Sequence, residues 1–247
     1  MALTNCLNFG NPEKKEIMGE FVKSIKGLSL ASDKLKVPIV SGNVSFYNET
    51  NNKSIPPTPQ IGAVGVVADY RTIISNKSQK VGDALYLIGS TDGHLSCSNY
   101  ERCFYSFSNI KHSTIPPQVD LFEEIKNAKC ISSLINNKLI TACHDLSDGG
   151  LMIAIIEMCL AGNTSFKFDN ISKNHSFLFG EDQSRYIISA KDVNIKKIKL
   201  LLNKKEIHYQ RIGRIEPINS LLNFPDKSTI SINEIEKINN NWINKVS

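Results

Sequence analysis

Val40-Ser41-Gly42-Asn43-Val44-Ser45-Phe46-Tyr47-Asn48-Glu49-Thr50 is the stretch on which the reading of this chain turns. Pro38-Ile39-Val40 at its head is apolar and β-branched, which predicts a short buried strand entered through a proline. Beyond Val40 the chain becomes polar and gains no charge until Glu49. Gly42 lets backbone come close to a bulky ligand. Asn43 offers a neutral oxygen, which suits a magnesium ion already bridged by phosphates. Ser45 places a hydroxyl two residues on, on the same strand face as Asn43. The plainer reading is a strand running into a polar loop, because Gly-Asn and Asn-Glu pairs are common turn chemistry.

Outward from that stretch, residues 3–9 predict a strand ending at Gly10. Asn11 then caps a helix, with Pro12 at its first position and Glu13 in its first turn. Ile17, Phe21, Ile25, Leu28 and Leu35 give that helix an apolar stripe, and Pro38 stops it. On the other side, residues 48–53 read as a polar turn and residues 55–59 as a stiff proline loop. Ile61-Gly62-Ala63-Val64-Gly65-Val66-Val67 reads as a buried strand thinned by glycine. Strand, helix, strand, strand is too little for a complete domain; it is the later part of an α+β unit. Met1-Ala2-Leu3 leads into strand-like sequence without a signal peptide, so something is expected before residue 1.

From Asp83 a second unit begins. Strands are expected at 84–88, 139–144, 166–168, 185–190 and 208–215. Helices are expected from Asp120, whose pairing with Glu123 suggests a capping box, after Gly149-Gly150, and over 193–205. This alternation predicts a mixed α/β domain. The Asn-, Lys- and Ile-rich tail after Pro217 predicts a surface strand and a short helix.

The 247 residues are 41% hydrophobic and 21% charged, an ordinary soluble globular balance. No apolar run reaches membrane-spanning length. The net charge of +5 comes from scattered lysines. Lys196, Lys197, Lys199, Lys204 and Lys205 read as the solvated face of one helix, since a nucleic-acid patch interleaves aromatics. Six cysteines form no C-x-x-C pair, which argues against zinc and for reduced thiols in a cytoplasmic protein.

Two further corners are polar. His144-Asp145-Leu146-Ser147-Asp148-Gly149-Gly150 joins a strand to a helix and reads either as a metal-and-phosphate corner or as helix capping with close packing. His144 itself reads as a hydrogen-bonded packing residue. Gly180-Glu181-Asp182-Gln183-Ser184-Arg185 reads either as a phosphate or ribose contact through Ser184 and Arg185, or as an acidic turn with Arg185 in a local ion pair. No G-x-x-x-x-G-K-[ST] loop occurs, which disfavours a free-standing kinase.

Taken in order, Thr4-Asn5-Cys6-Leu7-Asn8-Phe9-Gly10-Asn11-Pro12-Glu13, the Val40 stretch with Ile55-Pro56-Pro57-Thr58-Pro59-Gln60-Ile61-Gly62 behind it, His144 to Leu151, and Phe179 to Tyr186 form a series. It resembles the C-terminal half of the synthetase subunit of phosphoribosylformylglycinamidine synthases, from about residue 2 to about residue 215. The resemblance implies an aminoimidazole ribonucleotide synthetase-like α+β fold: a partial A-type domain over 1–80, a B-type α/β domain over 81–217 and a tail over 218–247. It implies an ATP-dependent ligase of purine biosynthesis, using ATP and Mg2+ to convert formylglycinamide ribonucleotide and ammonia into the amidine. Asn5 and Gly42 match ATP-contacting positions, Asn43 a magnesium ligand and Ser45 a substrate contact. Asn5 departs from the pattern, where an aspartate is usual; any role that needs a carboxylate is lost with it. The catalytic base, the ATP-contacting lysine and the remaining metal carboxylates are expected in the N-terminal half. The implied partners are that half, a glutamine amidotransferase subunit and a small bridging subunit, with no nucleic acid and no membrane. Two origins stand open, a fragment or one product of a split gene. The alternative function is a non-catalytic scaffold half that docks the others.

Overall fold

The computed structural model describes residues 1–105, 115–224 and 227–241. Its contacts divide into two units, Met1–Tyr70 and Arg71–Ser247.

In the first unit, β1 (Ala2–Asn8), α1 (Lys15–Leu35) and β2 (Ile39–Ser45) form a βαβ crossover with β1 and β2 parallel. A small hairpin, β3 (Glu49–Thr50) and β4 (Lys53–Ser54), precedes β5 (Thr58–Val64), which runs antiparallel to β1. The sheet order is β2-β1-β5, so β1 is central. Helix α1 begins later than expected. Asn11 caps a turn instead: its Oδ1 accepts from Glu13 N at 2.9 Å and its O from Lys14 N at 3.2 Å. An Asn-Pro pair serves a turn as readily as a helix start. At the other end Lys36 takes a left-handed conformation (φ 57°) and its N–H bonds the carbonyls of Ser32 and Asp33.

The expected stripe is present but thinly covered. Ile17, Phe21, Ile25 and Leu28 are half-buried, and Leu35 is exposed. Phe21 meets Phe9 and Phe46 edge-on at 5.3 and 5.0 Å between ring centroids. The strands expected to be buried are not. A register shift beside Val40 leaves it 66% exposed, and Val64 is 71% exposed in β5, which stops there and leaves Val66 outside it. Only Leu7, Phe9 and Val37 of this unit belong to the buried apolar core. One helix on three strands cannot cover both faces, so apolar residues that read as interior lie open. Edges β2 and β5 pair with no further strand among the described residues. Such a surface promotes association. The purified chain alone is therefore expected to self-associate; a monodisperse monomer by light scattering at high concentration would contradict this.

The second unit is built on a seven-stranded sheet with order β12-β11-β8-β10-β6-β9-β7. Its elements run β6 (Ala84–Ile88), α2 (Asn99–Tyr105), α3 (Leu121–Asn136), β7 (Ala142–Asp145), α4 (Gly150–Gly162), β8 (Thr164–Phe168) and α5 (His175–Phe179). They continue β9 (Tyr186–Ala190), α6 (Asp192–Lys204), β10 (Tyr209–Pro217), β11 (Leu222–Asn223), β12 (Thr229–Ile230) and α7 (Ile232–Asn240). Every residue of β6 is buried. Leu85 and Leu87 pack with α4 residues such as Ile155 and Met158, while Ala84, Tyr86 and Ile88 pack with Leu134 of α3 and Leu202 of α6. Both faces are covered, which is why β6 reads as an unbroken apolar run. Asp120 caps α3 through Phe122 N at 2.8 Å and Glu123 N at 3.1 Å. Glu123 does not close the expected capping box; it pairs with Lys126 at 2.5 Å. The segment after Pro217 is not merely a surface tail: Leu222 and Ile232 are buried in the sheet's core.

Candidate functional site

The pleat of the first unit decides what its polar residues can do. Cys6 pairs with Asn43 on one side and Gln60 on the other, and Thr4 with Ser41 and Gly62. Paired residues share a face, and alternate residues along a strand face the same way. Thr4, Cys6, Ser41, Asn43, Ser45 and Gln60 therefore form one polar face, tied by a 2.8 Å hydrogen bond from Ser41 Oγ to Thr4 Oγ1. A depression of about 620 Å³ opens there, lined by Thr4, Asn5, Cys6, Asn43, Gln60, Ile61 and Gly62. The exposed Asn43 side chain has no hydrogen-bond partner among the described residues.

Gly42 points the other way. A Cβ built on it would come within 1.8 Å of Asn5 Oδ1, so the Asn5 carboxamide fills the space that the missing side chain leaves. The four residues singled out in the sequence thus fall into two pairs: Asn43 with Ser45 on the open polar face, Asn5 with Gly42 on the reverse. The room at Gly42 that sequence reasoning assigned to a ligand is taken by Asn5.

At the end of β2 the chain is clamped. Three donors converge on Glu49 Oε1: Ser54 Oγ at 2.6 Å, Lys14 Nζ at 2.7 Å and Asn11 N at 3.1 Å. Lys14 first, then Ser54 and the Asn11 amide, hold the Glu49 carboxyl at about 2, well below the usual carboxylate range. Gly10 is needed beside it, since a Cβ there would meet Ser54 Oγ at 2.4 Å. A depressed folded-state value means a stabilising contribution present above the unfolded value of about 4.3 and lost as pH falls toward the folded one. The melting temperature of wild type should therefore exceed that of Glu49→Gln at neutral pH, and the gap should close between pH ~4.3 and ~2. A gap independent of pH would contradict the clamp.

In the second unit the two polar corners meet one another. Glu181 Oε1 accepts from Gly149 N at 2.7 Å, ahead of α4, and from Asn99 N at 2.8 Å, at the start of α2. The anion position expected at that helix start is thus held by the chain's own carboxylate, which disfavours the phosphate reading. Gly149 and Gly150 have φ of 78° and 64°, and a Cβ on Gly150 would meet Gly180 O at 2.4 Å. Arg185 is not offered to a ligand either. It is 1% exposed and donates to Asp182 O at 3.2 Å, to Thr91 Oγ1 at 3.3 Å and to Gly180 O, with Asp182 Oδ2 at 3.7 Å. Ser184 Oγ donates to Glu124 Oε2 at 2.7 Å. The local ion-pair reading of this corner is the one its geometry supports.

His144 bonds Glu157 across α4 at 3.2 Å and lies 3.4 Å from Asp145 Oδ1, its side chain 17% exposed. His144→Ala should lower stability by roughly 0.5–1.5 kcal/mol, the net scale of one hydrogen bond, because its partner Glu157 stays in water. Denaturant unfolding checks this, and an unchanged midpoint would contradict it. Among the described residues no three His, Cys, Asp or Glu side chains are grouped to hold a metal. What the open face offers is neutral oxygen alone, from the carboxamides of Asn43 and Gln60 and the hydroxyls of Thr4, Ser41 and Ser45. It fits a hard cation only as part of a shell completed by phosphates and by carboxylates from elsewhere.

Sequence reasoning missed Glu49, Glu181 and the buried state of Arg185 as organising groups. Lys14 and Glu49 are 35 residues apart, and Asn99 and Glu181 82 apart, so local spacing carries no signal for either contact.

Comparison with known proteins adds identity to this geometry. Residues 1–67 match the N-terminal domain, and residues 80–220 the C-terminal domain, of the family described as AIR synthase related protein. A curated relative, phosphoribosylformylglycinamidine synthase subunit PurL of Pelagibacter ubique, is 39% identical over 98% of this chain, which covers 33% of that relative. The chain spans about a third of the length of the curated relatives it matches. Among solved structures, T. maritima PurL complexed with FGAR superposes with a TM-score of 0.71 at 13% identity, covering 95% of this chain and 39% of that one. T. maritima PurL complexed with ATP gives 0.67 at 13% identity, covering 94% of this chain and 37% of that one. These likenesses carry the fold.

Proposed function

The chain belongs to the AIR synthase related proteins, and from that premise we propose that it forms the C-terminal wall of a phosphoribosylformylglycinamidine synthase active site. The reaction is ATP-dependent conversion of formylglycinamide ribonucleotide and ammonia to the amidine, with ADP and phosphate as products. The observation that supports it best is the open, uncharged polar face on which Asn43 and Ser45 stand together.

On this reading Asn43 contributes a neutral oxygen to a Mg2+ ion, which when bound neutralises the phosphates of ATP. Ser45 touches the ribonucleotide. Asn5 packs over Gly42 and fixes the strand pair behind the face. Among the described residues the depression on the open face is lined by no carboxylate, histidine or lysine, and on this reading an N-terminal part supplies the general base and the phosphate-binding lysine and completes the site. That part also covers the open apolar surface of the first unit. A glutaminase subunit delivering ammonia, a small bridging subunit and a cytoplasmic location belong to the same proposal. Among the described residues no helix is long and apolar enough to cross a membrane.

Genetic complementation tests it. A purine-requiring strain that expresses only the N-terminal part of its PurL should grow without purines when this chain is co-expressed. No growth, with both proteins present as stable products, would contradict the proposal.

A further inference from the structure

Asn48 lies three residues beyond Ser45, where β2 has ended and the β3–β4 hairpin begins. Its side-chain nitrogen is 3.0 Å from Phe9 O, 3.0 Å from Ser45 O and 3.1 Å from Ser45 Oγ. Its Oδ1 is 3.3 Å from Ser45 Oγ. A carboxamide nitrogen carries two hydrogens, and main-chain carbonyls only accept. The two carbonyls therefore take both hydrogens and settle which end of the amide is nitrogen. None remains for Ser45 Oγ, so the hydroxyl donates to Asn48 Oδ1. Its one hydrogen is then committed, and toward the open face Ser45 presents lone pairs alone.

We infer that Asn48 is a positioning residue that makes Ser45 a hydrogen-bond acceptor, so that this end of the wall takes an N–H or O–H group of the ribonucleotide and not a phosphate oxygen. The inference rests on the proposed reading of the wall. The backbone holds Asn48 in place: its N donates to Phe9 O at 3.2 Å, and its O accepts from Ile55 N at 3.0 Å. The amide cannot turn over without breaking two bonds to carbonyls that join β1, β2 and the hairpin. Glu49 beside it anchors the same segment to Asn11 and Lys14. A phosphate oxygen approaching Ser45 meets lone pairs; a ribose hydroxyl or an amide N–H meets an acceptor already aimed.

The test uses the enzyme assembled from this chain and the N-terminal part of a PurL relative. Asn48→Ala and Ser45→Ala should each raise KM for the ribonucleotide about tenfold, the scale of one lost hydrogen bond to a positioned partner. KM for ATP should stay within about twofold, and the double variant should be no worse than the worse single one, because Asn48 acts through Ser45. Should Asn48→Ala fail to fold, Asn48→Asp makes the comparison, since it keeps an acceptor toward Ser45 Oγ. It should melt lower yet hold the ribonucleotide KM within about threefold. Additive effects in the double variant, or a folded Asn48→Asp with a KM raised tenfold, would reduce Asn48 to a structural role and overturn the inference. If Ser45→Ala raises KM and Asn48→Ala does not, the inference fails and the wall stands. If Ser45→Ala changes nothing, the wall reading fails and takes the inference with it.

Discussion

Asn43→Ala is expected to lower turnover of the assembled synthase by about 10²-fold or more, the usual loss when a group that positions or stabilises charge in the transition state is removed. Three observations make this residue sensitive. It stands on the open polar face, its pairing with Cys6 in the centre of the sheet fixes its backbone, and its side chain is uncommitted among the described residues. Its stability cost should be small, within about 0.5 kcal/mol, because an exposed polar side chain contributes little packing. Kinetics at saturating substrate with magnesium varied, beside melting curves, separate the two effects. Wild-type turnover and magnesium dependence in Asn43→Ala would remove this face from the active site.

The largest loss of stability should come from Arg185→Met. Arg185 heads the fully buried side chains of the molecule, and its guanidinium serves two carbonyls, a hydroxyl and the Asp182 carboxylate. Burial pulls its pKa down, and the carboxylates of Asp182 and Asp92 push back. Asp182 in turn accepts from Gly93 N and His94 N, both at 3.0 Å, so one ion pair joins the loop after β6 to the loop before β9. Removing the cation leaves the nearly buried Asp182 carboxylate bonded to two amides but without its counter-charge, and takes a donor from the carbonyls of Gly180 and Asp182. Breaking such a pair costs about 3–5 kcal/mol. Urea unfolding of the chain reads it directly, and a loss below ~1 kcal/mol would mean that water or a neighbour replaces the guanidinium.

How much of this was readable in the sequence depended on what each signal reports. The strand at 84–88 and the Asp120 cap were readable because local pattern and local chemistry agree there, and the second unit supplies the burial the pattern asks for. Val40, Ile61 and Val64 have the pattern of buried strands and are open to solvent. An apolar pattern records a surface that needs covering, not what covers it. The Asn11-Pro12 pair misled because the same two residues suit a turn and a helix start. Gly42 and Asn43 were read together as facing a ligand, yet adjacent strand residues face opposite ways, so Gly42 answers to Asn5 and Asn43 to the open face. Glu49 and Glu181 reach partners 32 to 82 residues away, beyond any window along the chain; the pairing of Arg185 with Asp182 is local and was readable, whereas its burial was not.

The central claim is that this chain is one wall of a site completed by another polypeptide segment. The most direct measurement is phosphate release from ATP with ammonia and formylglycinamide ribonucleotide, for the purified chain, for the N-terminal part of a PurL relative, and for the two mixed. The account predicts no turnover from either alone and turnover from the mixture that depends on both the ribonucleotide and ammonia. Robust turnover by the chain alone, or a stable inactive complex of the two parts, would contradict it.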